Sequence, residues 1–93
     1  MTKFKVVGYC PCTKCWPKLK DTTASGVRPK VNHTLAAPQK YKFGTKINLE
    51  GYGIYVVEDR GGAIRDNSIE IFFSSHQEVL KWGVKYINGS VLQ

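Results

Sequence analysis

The 93-residue sequence has no apolar run that approaches the ~18–20 residues needed to cross a bilayer. Its start, MTKFKVVGYC, lacks the long apolar segment and small-residue cleavage site of a secretory signal. No repeat, low-complexity stretch or Pro/Ser/Gly linker divides the chain. We therefore expect a single domain over residues 1–93 that is monomeric, made in the cytoplasm and without a transmembrane segment.

Acidic residues are scarce in the first half of the chain. Residues 1–46 hold ten Lys or Arg and one acid, whereas residues 47–93 hold four Lys or Arg and six acids, and the whole chain carries +7. A basic half is typical of a polyanion partner, such as nucleic acid, an anionic cell wall or a membrane surface, or it is a solvated face. No ordered basic and aromatic motif points to nucleic acid, so we do not expect that partner.

Cysteine occurs only as Cys10, Cys12 and Cys15, and an odd number cannot all pair within the chain. The three thiolates could bind zinc with His33 or water as the fourth ligand. The alternatives are one local disulfide with a remaining thiol, or three reduced thiols. A second ligand pair at regular spacing is missing, so the metal remains undetermined.

Short alternating and β-branched segments predict a mainly β fold, and 42% apolar residues suffice for its core. The predicted strands are Lys3–Val7, Thr34–Ala37, Thr45–Glu50, Ile54–Val57, Ile69–Phe73 and Val84–Leu92. Asn88 and Gly89 could turn or bulge the last of them. Ser75 and Glu78 form a capping box for a short helix that Gly83 can end. Many short strands with one helix indicate a small β-barrel that closes on itself.

Two carboxylates leave the ends of predicted strands, Asp59 within the run EDRGGAI and Glu70 eleven residues later. Gly61 and Gly62 would let a bulky substrate approach the backbone. If the two acids converge in a cleft, repulsion and burial raise the pKa of one, giving an acid that can protonate a leaving oxygen. Carbohydrate cleavage uses such acids. In the alternative, Asp59 caps a turn beside Arg60 or Arg65, and Glu70 is a solvated strand residue.

Eight short motifs in this order resemble the 3D domain, a family named for three aspartates, over almost the whole chain. They are YCPCTKC (9–15), TASG (23–26), TLAA (34–37), FGTKI (43–47), EDRGGAI (58–64), IEIFF (69–73), SHQE (75–78) and WGV (82–84).

The resemblance implies a six-stranded double-psi β-barrel related to the catalytic domain of membrane-bound lytic transglycosylase A and to stationary-phase muralytic proteins. It also implies cleavage of the MurNAc-GlcNAc β-1,4 bond of peptidoglycan glycan strands to 1,6-anhydro ends, without a cofactor. The second aspartate of the family matches Asp59, the third falls at Glu70, and the first falls at or beside Ala37. Glu70 is then the acid, and Asp59 its hydrogen-bonding or substrate-orienting partner.

The sequence departs from the family pattern at two of the three acids. Glutamate at position 70 lengthens the arm of the carboxyl by about 1.5 Å, a displacement that can cost around 10²-fold in rate. Ala37 has no polar group to replace the first aspartate. The leading hypothesis is therefore a lytic transglycosylase that acts at the cell wall. It would be a phage or prophage lysis protein released through a holin, a host protein exported by another route, or a domain excised from a longer protein. The alternative is an inactive peptidoglycan-binding or phage structural module.

Further candidate residues each have a second interpretation. Thr23, Ser25 and Thr34 could bind sugar hydroxyls or simply close turns. Arg60, Gly61 and Gly62 complete the predicted substrate-binding set, with Arg60 binding carboxylates or pairing with neighbouring acids. The aromatic candidates for stacking on sugars are Tyr9, Tyr52, Tyr55 and Trp82, of which Trp82 also fits the core.

Overall fold

The computed structural model describes residues 1–10, 22–60 and 67–92. Six strands and one helix follow the predicted order: β1 Thr2–Tyr9, β2 Thr34–Ala36, β3 Lys46–Leu49, β4 Gly53–Asp59, β5 Ser68–Phe72, α1 His76–Trp82 and β6 Val84–Leu92. The prediction of a mainly β chain with one short helix is confirmed.

The strands close into a mixed barrel in the order β1, β5, β2, β4, β3, β6, with β6 returning to β1. The pairs β1 with β5 and β2 with β4 are parallel, and the other four pairs are antiparallel. Closure gives each of these strands a hydrogen-bonded neighbour on both sides, so no strand edge is left to pair with another chain. The predicted closed six-stranded barrel is confirmed.

Side chains at alternate positions of the strands point inward and fill the barrel. Phe4 and Val6 of β1 are fully buried and point inward, whereas the alternate residues Lys3 and Lys5 are exposed. Ile69 and Ile71 of β5 join the same interior cluster, and Glu70 between them points to the outer face. The remaining interior members include Leu35, Ala37, Ile47, Leu49, Tyr55, Val57 and Ile87. Tyr55 is therefore core and does not offer its ring to a sugar.

Strand β6 runs without a turn through Asn88 and Gly89, so the alternative of a break at these residues is wrong. Gly89 pairs with Thr2 on one side and with Leu49 on the other. A Cβ added at Gly89 would lie 2.8 Å from the Phe4 ring and 3.2 Å from Leu49 Cδ2. The glycine is needed there because the Phe4 ring fills the space that a side chain would occupy.

Helix α1 begins where the capping box predicts. The Ser75 hydroxyl accepts a 3.3 Å hydrogen bond from the Glu78 amide, and Glu78 Oε1 accepts from the hydroxyls of Ser75 and Ser74. Gly83 ends the helix at φ +66°, and its N–H donates to Val79 O. Trp82 packs against the core and donates from Nε1 to Val6 O at 3.0 Å, which favours its core interpretation. Across the described ranges, no helix is long and apolar enough to cross a membrane.

Candidate functional site

Strand β2 brings the two predicted acids to the same level of the barrel wall. Ala36 of β2 lies opposite Asp59 in β4 on one side and opposite Glu70 in β5 on the other. Residues directly opposite each other across a sheet share a face, and adjacent strands lie about 4.8 Å apart. The backbones of Asp59 and Glu70 are therefore about 10 Å apart across the small side chain of Ala36. We call this outer-face region, made by Tyr9, Ala36, Asp59 and Glu70, the acidic cleft.

Asp59 is buried and held by three donors. Its Oδ2 accepts a 3.0 Å hydrogen bond from the Tyr9 hydroxyl, and its Oδ1 accepts from the backbone amides of Ala24 at 2.9 Å and Arg60 at 2.8 Å. An ionised carboxylate offers about four acceptor positions. The three bonds fix the orientation of the carboxylate and leave roughly one acceptor position for a further partner.

Glu70 is half-buried, with Ala36 of β2 opposite it on one side and Val7 of β1 on the other. Burial raises the pKa of the Glu70 carboxyl above its ordinary value, and the negative charge of Asp59 raises it further. Glu70 therefore keeps its proton to a higher pH than a solvated glutamate does. A carboxyl group whose pKa is raised in this way is of the kind that general acid catalysis uses.

Tyr9 closes one side of the cleft. Its ring packs edge-on against Phe72 at a centroid distance of 5.5 Å. Burial, the nearby charge of Asp59 and the hydrogen bond to Asp59 raise the pKa of the Tyr9 hydroxyl far above its usual range, with smaller contributions from the charges of Glu70 and Glu58. Tyr9 is thus a permanent hydrogen-bond donor to Asp59, a role that the sequence interpretation as a sugar-stacking ring missed.

The segment from Thr23 to Val27 forms a turn that serves Asp59. Thr23 is buried, and its hydroxyl donates to Val27 O at 2.9 Å and lies 3.1 Å from the Ser25 hydroxyl. The Ser25 amide donates to Glu58 O, which fastens the turn to β4. These bonds support the turn-closing interpretation of Thr23 and Ser25, and they present the Ala24 amide to Asp59.

Thr34 is fully buried, and its hydroxyl is already engaged. It donates a 2.7 Å hydrogen bond to Glu58 Oε1 and accepts one from the Lys30 amide. His33 Nε2 lies 3.3 Å from the other oxygen of Glu58. The structure therefore gives Thr34 a structural role, and the predicted contact with a sugar hydroxyl is not available to its buried oxygen.

Glu58 is a third carboxylate at the edge of the cleft that sequence reasoning passed over. In a regular strand, Glu58 and its neighbour Asp59 would point to opposite faces. The register between β2 and β4 shifts after Leu35, so that Asp59 rather than Glu58 pairs with Ala36. In the sequence, the only sign that Glu58 lies near Asp59 at the cleft is that the two acids are adjacent. The spacing of residues along the chain does not reveal a bulge between two parallel strands.

Arg60 binds backbone carbonyls, which neither of its predicted roles included. Nη2 donates to Tyr41 O at 2.8 Å, and Nη1 donates at 3.3 Å to Ala37 O and to Asp59 O. Its guanidinium also lies 4.1 Å from the centroid of the Phe43 ring. Arg60 thus ties the loop after β2 to the end of β4, and among the described residues its partners are backbone carbonyls and the Phe43 ring. Gly61, Gly62 and Arg65 lie outside the described residues.

Ala37 occupies the position at which the resemblance places the first aspartate of the family. It is fully buried in the barrel interior beside Leu35, while Ala36 between them belongs to the outer cluster with Tyr9 and Phe72. Its amide donates to Asp59 O at 3.2 Å. The backbone at residue 37 therefore helps to place Asp59, and its side chain adds no polar group to the cleft.

The structure describes one of the three cysteines. Cys10 is buried, and its Sγ lies 3.7 Å from His76 Nδ1. Cys12 and Cys15 lie outside the described residues, and His33, the predicted fourth zinc ligand, contacts Glu58. Within the described ranges, no group of three or more His, Cys, Asp or Glu side chains is placed to hold a metal ion.

The profile of the 3D domain family matches residues 33–93, which include β2 to β6 and both acids of the cleft. The chain belongs to the 3D domain family, as its ordered motifs predicted. It is similar to the cell wall-binding protein YocH of Bacillus subtilis strain 168, with 33% identity over 78 residues, 80% of this chain and 27% of YocH. It is also similar to YabE of the same strain, whose name assigns it to cell wall shaping, with 34% identity over 74 residues, 75% of this chain and 18% of YabE. The chain thus spans less than a third of either relative.

Proposed function

We propose that the protein acts on bacterial peptidoglycan as a lytic transglycosylase that cleaves the MurNAc-GlcNAc β-1,4 bond. One observation carries the proposal: Glu70 and Asp59 lie on the same face of the barrel, on either side of Ala36. Glu70 is half-buried there, and its pKa is raised. The names of the two relatives refer to cell wall binding and cell wall shaping, which supports a polymer of the bacterial cell wall as the substrate.

Glu70 supplies the proton in the proposed reaction. Its carboxylic acid protonates the glycosidic oxygen, the bond from that oxygen to the anomeric carbon of the muramyl residue breaks, and positive charge develops on the sugar ring. The resulting Glu70 carboxylate then takes the proton of the muramyl 6-hydroxyl, and that oxygen bonds to the anomeric carbon. The products are a 1,6-anhydro end and a new sugar hydroxyl, Glu70 regains its proton, and no water is consumed.

Asp59 orients the substrate in this scheme. Its carboxylate is fixed by Tyr9, Ala24 and Arg60, and its remaining acceptor position can bind a sugar hydroxyl. Its negative charge also favours the positive charge that develops on the ring, because the cleft is partly removed from water. The chemistry needs no cofactor.

Purified sacculi digested with the protein and analysed by mass spectrometry test the proposal. We expect 1,6-anhydro-muropeptides from the wild type and none from Glu70→Gln, which keeps the shape of the side chain but cannot donate the proton. Asn48→Asp exchanges an amide and a carboxyl on the exposed side of β3 and should leave the yield unchanged. Anhydro products from Glu70→Gln at the wild-type level would overturn the assignment of Glu70.

A second function, a binding module for peptidoglycan without cleavage, is favoured by one observation. Ala37 leaves the site without the first aspartate of the family, and its side chain is buried in the core. Sedimentation of the wild type with sacculi, without release of any anhydro product, would select this function over the first. Action at the bacterial cell wall is common to both proposals, and the role in phage or prophage lysis stays a prediction.

A further inference from the structure

Strand β6 lies on the side of the barrel away from the acidic cleft. In the closed order of six strands, β2 at the centre of the cleft and β6 are three places apart in either direction. Tyr52 lies directly before β4, and Asp59 is the last residue of this seven-residue strand. At about 3.3 Å per residue, Tyr52 and Asp59 are separated by roughly 20 Å along the strand. A surface near Tyr52 and β6 is thus separate from the cleft.

Aromatic rings and lysines meet on this side of the molecule. We use the name β6 surface for Tyr52, Lys81, Trp82, Lys85 and Tyr86. Tyr86 is 65% exposed and Tyr52 is 47% exposed, although both rings are large and apolar. The rings of Tyr52 and Trp82 meet edge to face at 5.1 Å, and Lys85 Nζ lies 5.0 Å from the centroid of the Trp82 ring. The Tyr52 ring and the Lys85 ammonium group therefore both contact the Trp82 ring.

Two shallow concavities adjoin each other on the β6 surface, and Lys85 lines both. One, of about 290 Å³, lies between Trp82 and Lys81, and the other, of about 460 Å³, lies between Tyr52 and Tyr86. Each is near the lower end of the size range of small-ligand sites, about 300–1,000 Å³. Because Lys85 lines both, the two concavities lie side by side and form one track on the β6 surface.

The charges on the track are mixed. Within the part of the chain that the structure describes, no carboxylate lies within 4 Å of the ammonium groups of Lys81 or Lys85. Glu78 borders the first concavity, but its Oε1 accepts from the hydroxyls of Ser74 and Ser75. Glu50 borders the second concavity and is exposed. A ligand with hydroxyl or amide donors and widely spaced carboxylates suits this combination, because its donors can face Glu50 while its carboxylates face the lysines. The closely spaced charges of a phosphate backbone would not all avoid Glu50.

We propose that the β6 surface is a second binding surface for peptidoglycan, which holds an uncleaved stretch of glycan strand. Sugar faces and acetamido methyl groups pack on Tyr52 and Tyr86, while Lys81 and Lys85 attract the carboxylates of the lactyl and peptide groups. The inference rests on peptidoglycan being the polymer of the proposed function. Binding at two opposite sides of a barrel keeps the protein on the wall while the cleft releases its product.

Sedimentation with purified sacculi, stripped of covalently attached wall polymers, tests the proposal. All variants carry Glu70→Gln, so that cleavage does not alter the sacculi during the measurement. We expect the double variant Tyr52→Ala/Tyr86→Ala to raise the apparent Kd about tenfold, as loss of exposed aromatic anchors commonly does. Lys81→Ala/Lys85→Ala should weaken binding about threefold and reduce its dependence on salt.

The matched control is Lys42→Ala/Lys46→Ala, which removes the same charge from exposed positions elsewhere. It should leave the Kd within twofold of the parent. Circular dichroism and thermal unfolding check that the variants fold. If the double tyrosine variant does not fold, Tyr86→Ala alone, at the more exposed tyrosine, replaces it in the binding assay. It should then raise the Kd about threefold.

An unchanged Kd for the tyrosine variants would overturn the proposal, as would an equal loss in the control. Tighter binding to oligothymidylate than to sacculi would also overturn it, since the surface would then serve nucleic acid. The proposed cleavage is judged separately, by anhydro products from the protein with Glu70 intact. Binding that depends on Tyr52 and Tyr86 without any such product would support the β6 surface and reject the transglycosylase.

Discussion

The Tyr9 hydroxyl donates a 3.0 Å hydrogen bond to Asp59 Oδ2, joining β1 to β4. Strands β5 and β2 lie between these two strands in the barrel order. The bond therefore spans the outer face of the wall at the level of Glu70. It holds the Asp59 carboxylate of the acidic cleft in one orientation.

Removing this hydroxyl should cost stability and activity together. We expect Tyr9→Phe to lower the free energy of unfolding by about 1.5–3 kcal/mol, because a hydrogen bond to a buried charged group is lost. Urea denaturation measures this change. Tyr55→Phe removes a hydroxyl from another buried tyrosine, for which the described residues show no hydrogen-bond partner, and should change stability by less than about 0.5 kcal/mol. Equal effects of the two substitutions would contradict a special role for Tyr9.

The raised pKa of Glu70 makes a prediction about stability and pH. A carboxyl whose pKa is higher in the folded than in the unfolded protein favours folding when it is protonated. Its contribution is fully present below the ordinary pKa of glutamate and is lost as the pH rises through the folded value. Glu70→Gln should therefore raise the melting temperature relative to wild type at pH 7, but not below the ordinary glutamate pKa. A difference that does not change with pH would contradict the assignment.

Packing around Gly89 gives a prediction that is independent of function. A Cβ at this position would meet the Phe4 ring at 2.8 Å and Leu49 at 3.2 Å. We expect Gly89→Ala to lower the free energy of unfolding by about 1–3 kcal/mol, as overpacking of a core does. The neighbouring exposed Asn88 provides the control, because Asn88→Ala adds nothing to the interior. Wild-type stability of Gly89→Ala would show that Phe4 has room to move.

Local patterns predicted the barrel well, because strands such as β1, β3 and β4 alternate buried residues with more exposed ones. The alternation at Ile69, Glu70 and Ile71 placed the isoleucines inside and the glutamate outside, as the structure has them. The capping box of α1 was visible for the same reason, since Ser75 and Glu78 interact within one turn. Gly89 was ambiguous because a glycine that makes a bulge and one that admits a neighbouring ring have the same sequence signal.

The site was predictable only as a list of residues. That Asp59 and Glu70 meet depends on β2 lying between β4 and β5, and Ala36 carries no chemical sign of that position. Tyr9 is 50 residues from Asp59 along the chain, so spacing could not connect them. The acceptors of Arg60 are backbone carbonyls, which every residue has, and its role in holding the loop was therefore invisible in the sequence.

Burial, and after it the charge of Asp59, raises the pKa of the Glu70 carboxyl, and the proposed proton transfer depends on this shift. Carbon-detected NMR titration of the Glu70 carboxyl in the wild type and in Asp59→Asn measures this directly. We predict that the pKa of Glu70 lies above the ordinary glutamate value in the wild type and falls in Asp59→Asn, where the neighbouring charge is gone but burial remains. An ordinary Glu70 pKa that Asp59→Asn leaves unchanged would contradict the account.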